Sequence, residues 1–280
     1  MPIFVDAQIK REIMRKLFFA AAALLGVLSC SQDKTPKVLV LYYSQTSNTK
    51  AVAEEIASRL GADVEEIVCL EPYSGTYQET IERCIKEREI GYIPPVQALK
   101  ADLSAYDIIF LGYPVWFGTY APPVASLLEM VDLTGKKVVP FCTFGSGGLD
   151  SSTRDLSQKQ PGAEVLPGYG VRAARLEAVP SEVEHFLLEG GFVEGEYVPY
   201  EPFSEGREVT EEEEALFDAA VGSYPMIKAK AQQVASRPVP GGMEYLFEAL
   251  DSRMPDNPRT LKVYVLDLEG QDPVFTQVLR

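Results

Sequence analysis

Three short stretches of this chain carry residues whose types and spacing could do chemistry. Ser44-Gln45-Thr46-Ser47-Asn48-Thr49 crowds hydroxyls and amides just ahead of an apolar helical stripe. Free N–H groups at a helix start, completed by hydroxyls, hold an anion such as phosphate. Tyr113-Pro114-Val115-Trp116-Phe117-Gly118-Thr119-Tyr120 contains the one tryptophan of the chain, set in a loop between Pro114 and Gly118. Thr143-Phe144-Gly145-Ser146-Gly147-Gly148 is a glycine loop that permits close backbone approach. An anion cradle, a flat aromatic platform and a glycine loop together suit a phosphorylated planar ring. Neither a Walker-type Gly-Lys pair nor a G-x-G-x-x-G is present, which disfavours a nucleoside triphosphate and a Rossmann dinucleotide.

Composition narrows the alternatives. A single histidine, His185, excludes zinc motifs built on two imidazoles and reads as a surface residue. With 41 acidic against 26 basic side chains the formal charge is −15, which argues against nucleic acid as a partner. Four cysteines do not make a disulfide scaffold. Cys69 and Cys142 fall in expected strands as buried free thiols, whereas Cys84, on a helix, could be exposed, and no essential disulfide is expected. The glutamate run after Thr210 is a capped helix start rather than a metal site. No side chain stands out as catalytic, so the chemistry is expected to come from a cofactor.

The elements that must position these stretches follow from periodicity. Val38 to Tyr43 is a continuous apolar run, as in a strand buried on both faces of a parallel sheet. The stripe Val52, Ala53, Ile56, Ala57, Leu60 makes the next helix, stopped by Gly61. Further strands are expected over 63–70, 106–112, 137–143 and 164–166, with helices over 76–89, 122–131 and 181–189 and another within 149–168. Lys50 reads as a solvated helix-start residue. The hydroxyl, aromatic and glycine loops then lie at the carboxyl ends of three strands, where ligands bind in open α/β sheets.

On these motifs residues 37–192 resemble the flavodoxin-like family. The resemblance implies an α/β, doubly wound, five-stranded parallel sheet of order 2-1-3-4-5, and FMN as cofactor. Ser44, Gln45, Thr46, Ser47, Asn48 and Thr49 are similar to that family's phosphate loop. Pro114, Val115, Trp116, Phe117 and Gly118 match its first isoalloxazine loop, and Thr143, Phe144, Gly145, Gly147 and Gly148 its second. Ser47 stands where the family usually has glycine. If that residue takes φ > 0, the serine is strained by about 1 kcal/mol.

The ends of the chain read differently. Residues 1–35 carry a net +2, against −9 over 36–194 and −8 over 195–280. Met14-Arg15-Lys16, the apolar run Leu17 to Leu28 and Ser29-Cys30 describe a secretory leader over 1–29, with Met14 as the natural start. The sequence Val27-Leu28-Ser29-Cys30 resembles a bacterial lipobox. It implies lipidation at Cys30, a tether over 30–36 and a place in the cell envelope, with the outer membrane favoured over the inner. After a linker over 193–208, residues 209–280 are expected to form a small α+β domain, one helix on a four-stranded antiparallel sheet. The segment Gln232 to Ser236 gives it a likeness to cystatin-like domains.

The resulting expectation is a membrane-tethered flavoprotein that passes electrons to a redox partner protein or reduces a small-molecule acceptor, quinones included. A non-catalytic surface lipoprotein that has lost its flavin and binds a protein or ligand is the alternative. Oligomeric state is not legible in the chain.

Overall fold

Alternation along the first strand decides the architecture. Leu39 and Leu41 of β1 (Val38–Tyr42) enter one apolar cluster, while Val40 and Tyr42 enter another on the opposite face. The same split runs through β3 (Ile108–Trp116), where Ile109, Leu111 and Tyr113 face one cluster and Ile108 and Phe110 the other. A strand that buries both sides must lie between two helical layers. This computed structural model describes residues 35–222, 224–253 and 258–279. The expected leader and Cys30 lie outside the described residues.

In chain order the first part holds β1, α1 (Asn48–Leu60), β2 (Asp63–Glu66), α2 (Tyr77–Glu89), β3, β4 (Thr119–Tyr120), α3 (Pro122–Met130), β5 (Lys137–Phe144), α4 (Leu149–Lys159), β6 (Glu164–Val165), β7 (Tyr169–Arg172) and α5 (Val179–Glu189). The parallel sheet runs β2-β1-β3-β5-β6, with β7 also on β5. This is the expected 2-1-3-4-5 order, with its last position divided. The division falls at Pro140, which has no N–H to donate. Lys137 and Val138 pair with β6, whereas Phe141 to Phe144 pair with β7. Gly168, between the two short strands, lies so near Pro140 that a Cβ there would sit 2.4 Å from the Pro140 carbonyl oxygen.

Two other expectations are corrected. The second strand ends at Glu66 and not at residue 70, because the chain turns inward there to bury Ile67, and Cys69 bridges to Val96. Cys84 is buried, since its helix α2 packs that side onto the core beside Tyr73. Cys69, Cys84 and Cys142 are all buried free thiols. Among the described residues no helix is long and apolar enough to cross a membrane.

The C-terminal part begins with β8 (Arg207–Glu208) and α6 (Glu211–Val221), followed by β9 (Ala229–Val239), β10 (Gly242–Asp251), β11 (Thr260–Leu268) and β12 (Val274–Leu279). Its antiparallel sheet has the order β12-β11-β10-β9-β8, so it holds five strands where four were expected. The fifth, β8, is only two residues long and arises in the expected linker by pairing with Val234 and Gln233. Phe217, Ala220 and Val221 of α6 press one helix face onto Phe247, Val263, Val265 and Phe275 of the sheet. His185, on α5, stacks on linker residue Tyr200 with ring centroids 4.4 Å apart.

Helix α6 starts as the sequence suggests. Thr210 Oγ1 accepts from the Glu213 amide, and the Glu213 carboxylate accepts from the Thr210 amide. Arg207 adds a bidentate contact to the same carboxylate. Its hydrogen bonds lead the causes that hold the Glu213 pKa down at about 2. A carboxylate depressed in the folded state stabilises above its ordinary value near 4.5 and loses that contribution as pH falls toward 2. Glu213→Gln should therefore flatten the acid limb of the stability curve between those values and cost about 1 kcal/mol at neutral pH. Urea denaturation at stepped pH measures it, and an unchanged acid limb would refute this account.

Candidate functional site

The hydroxyl-rich loop leaves β1 and enters α1 through Ser47, whose φ of 65° puts it in the left-handed region. That backbone lets the chain turn directly from strand to helix, so the first amides of α1 point out of the sheet edge. Four such amides lack intrahelical acceptors. Of these, the Lys50 amide finds Ser44 Oγ at 3.2 Å, and the helical ladder itself starts with the Ala51 amide on the Ser47 carbonyl at 3.0 Å. Thr46 and Ser47 are exposed at the tip, and the first turn of α1 carries no acidic residue. Lys50 is spent on Glu54 at 3.8 Å.

Two members of the expected set point into the scaffold. The Thr49 hydroxyl is buried 2.8 Å from that of Thr143, stitching the first loop to the end of β5. Gln45 accepts from the Tyr43 hydroxyl at 2.7 Å and donates to the Tyr73 carbonyl. Ser44, Thr46, Ser47 and Asn48 therefore form the open part of this loop. Ser47→Gly should relieve the left-handed strain. After subtraction of the glycine's added unfolded-state entropy, a net gain of up to about 0.5 kcal/mol is expected in chemical denaturation. A loss of stability would show that Ser47 is not strained.

The tryptophan stretch is not a loop, as the sequence suggested, but the end of a strand. β3 continues through Trp116 and folds back on β4, pairing Val115 with Tyr120 and Trp116 with Thr119. Phe117 and Gly118 at the tip both take positive φ, 52° and 85°, as a two-residue hairpin turn requires. Trp116 is half-buried and meets Tyr73 edge-on at 5.0 Å and Tyr43 at 6.1 Å. It thus packs onto the core as well as facing outward. With Phe117 it lines a small apolar cavity of about 250 Å³ beside α2.

The glycine loop after β5 packs closely against other parts of the chain. Phe144 is buried in the core and Gly145 is exposed, with Gly147 and Gly148 between them in accessibility and the α4 start. A Cβ on Gly145 would lie 2.7 Å from the Tyr224 hydroxyl, and one on Gly147 2.5 Å from the Val278 carbonyl oxygen. One on Gly148 would lie 2.5 Å from Val115 Cγ1. The space these glycines open is thus filled by the hairpin strand and the C-terminal part. The Val278 amide donates to the Ser146 carbonyl at 2.6 Å, and Arg172 Nε to the Gly145 carbonyl at 3.0 Å.

Arg172 was not singled out from the sequence, and nothing local to it could have done so. Its side chain is 8% exposed, donates also to the Phe275 carbonyl at 2.9 Å, and lies 3.4 Å over the Phe275 ring. Burial pushes its pKa down to about 10, so it remains a cation at neutral pH. Among the described residues no carboxylate pairs with it.

Val115, Phe117, Gly118, Gly145, Gly147 and Gly148 come together around an open-sided pocket of about 440 Å³, which Asp150, Arg154, Tyr224, Val278 and Leu279 also line. That volume falls in the usual range for small-molecule sites. Trp116, Pro114 and the hydroxyl loop do not line it. The donor set fits a phosphorylated planar ring in two respects. The first loop offers hydroxyls and unpaired amides without a carboxylate, and the hairpin and glycine loop line an open pocket with aromatic and backbone groups, beside the charged Asp150 and Arg154.

A family model described as flavodoxin matches residues 37–182, just over half of the chain. Among solved structures, a candidate flavoprotein from Bacteroides uniformis is 26% identical, with 54% of this chain and 99% of that one covered at a TM-score of 0.48. A candidate flavoprotein from Bacteroides eggerthii is likewise 26% identical, covering 53% and 98% at 0.45. A flavoprotein in complex with FMN from Lactobacillus acidophilus is 25% identical, covering 48% and 93% at 0.45.

Proposed function

The chain belongs to the flavodoxin family over residues 37–182, and from that premise we propose that it binds FMN at the carboxyl edge of its parallel sheet and uses it in electron transfer or reduction. The observation that carries this reading is the loop into α1: a left-handed Ser47, open hydroxyls and unpaired amides, with no acidic residue in the first turn. Ser44, Thr46, Ser47 and Asn48 would hold the phosphate, with Thr49 and Gln45 bracing them from behind. Phe117, Gly118 and the glycine loop would flank the ring. When bound, the flavin supplies one- and two-electron chemistry, while the protein binds and orients it. The recipient is a redox partner protein or a small-molecule acceptor such as a quinone. Lipid at Cys30, after removal of residues 1–29, would tether the protein to the cell envelope, at the outer membrane in preference to the inner. Residues 209–280 would be a small α+β domain of their own, similar to cystatin-like domains.

Titration of FMN into flavin-free protein tests the central claim. The expected result is quenched flavin fluorescence, a yellow complex and a raised melting temperature. Colourless protein with an unmoved melting temperature would overturn it. Intact-mass analysis of protein from the membrane fraction tests the tether, since an unlipidated mature chain would refute it.

A second reading, a lipoprotein without flavin that binds a protein or ligand, has one observation in its favour. The Gly145 and Ser146 carbonyls, and the space beside Gly145 and Gly147, are already engaged by Arg172, Val278 and Tyr224. The same titration decides between the two.

A further inference from the structure

The two parts of the chain meet at the glycine loop, and the contact is built from groups that are costly to bury. Arg172 ends β7 of the parallel sheet, yet it divides its donors between two carbonyls. One belongs to Gly145, at the glycine loop, and the other to Phe275, on β12 of the antiparallel sheet. Its guanidinium lies on the Phe275 ring at 3.4 Å and 5.5 Å from that of Tyr224. One residue further into the loop, the Ser146 carbonyl accepts from the Val278 amide. A buried cation satisfied only by carbonyls and aromatic faces is held by orientation, because moving either carbonyl strips it of a partner it cannot replace with water. Glycines at 145 and 147 remove the side chains that would hold the two parts apart.

We propose that Arg172 is a positioning residue for the cofactor: it fixes the last strand against the glycine loop, so that docking of the antiparallel sheet and binding of the flavin form one linked equilibrium. The inference rests on the flavin reading above. In this arrangement Tyr224, Val278 and Leu279 are a wall of the ring pocket and not a neighbouring surface. Linkage is reciprocal, so a cofactor that orders the glycine loop must also hold β12 in place, and loss of the β12 contact must weaken the cofactor.

Hydrogen exchange of residues 274–279 with and without FMN, alongside FMN affinity, tests the proposal. In the parent protein, saturating FMN should slow exchange across that strand by about fivefold or more. Arg172→Met should bind FMN about tenfold more weakly and lose the cofactor-dependent slowing, within the span typical of coupled sites. Arg172→Lys, which keeps the charge but not the two-carbonyl fork, should fall between them. Should Arg172→Met fail to fold, Arg172→Lys and Tyr224→Leu carry the test, with circular dichroism as the fold control. Parent-like affinity in the folded variants, or exchange in the parent that ignores bound FMN, would overturn the proposal. Failure of the parent to take up FMN would instead fell the flavin reading, visibly as colourless protein, and the linkage with it.

Discussion

Thr46→Glu is expected to weaken FMN binding by about 100-fold or more while leaving the fold intact. Thr46 is exposed at the tip of the loop between β1 and α1, and among the described residues its side chain makes no hydrogen bond, so its removal costs little. A carboxylate brought beside a phosphate meets a repulsion of about 4 kcal/mol per unit charge at close range and an effective dielectric near 20. Exposure and salt reduce that, and about 3 kcal/mol is enough for a hundredfold loss. Fluorescence titration at low and high salt measures the effect, which should shrink as salt rises. Thr46→Val, which removes a hydroxyl without adding charge, should lose only a few-fold. Equal binding by parent and Thr46→Glu at low salt would mean that the phosphate does not sit in this loop.

Phe275→Ala carries the largest expected effect on stability. Phe275 is fully buried among Phe217, Phe247 and Val265, and its ring also forms the floor beneath Arg172. Truncating a buried phenylalanine costs about 3–5 kcal/mol through lost transfer energy and the cavity left behind. Removing the ring also leaves the guanidinium without its aromatic face, which adds about 1–2 kcal/mol where the cation is desolvated. Phe275→Leu should cost about half as much, since it fills most of the volume. Urea denaturation followed by aromatic circular dichroism would read both. A loss below about 1 kcal/mol for the alanine variant would show that β12 contributes little to its sheet.

The contrast between what was legible in the chain and what was not has physical causes. Runs such as Val38 to Tyr42 and Ile108 to Leu111 bury both faces, so composition alone announces strands of a parallel sheet and their sequence order constrains the topology. The hydroxyl loop was readable for a similar reason, as all its members are neighbours in sequence. The hairpin at Trp116 was missed because its turn uses Phe117 in a left-handed conformation, a residue that gives no turn signal. The glycines at 145, 147 and 148 read as sites of close approach, and what lies close to them within the chain was not legible. Tyr224, Val115 and Val278 lie near or far in sequence without any pattern that marks them. Arg172 is the extreme case: its partner Phe275 is 103 residues away and contributes a carbonyl, a group every residue has.

The broken last position of the parallel sheet bears on how this protein behaves in a crowd of its own copies. One edge of that sheet is β2, four residues long with Glu65 and Glu66 on it, and the other is split at Pro140 into strands of two and four residues. Neither offers the long row of unpaired amides and carbonyls on which a second chain could template itself. A single proline in the neighbouring strand thus acts as a guard against ribbon-like aggregation.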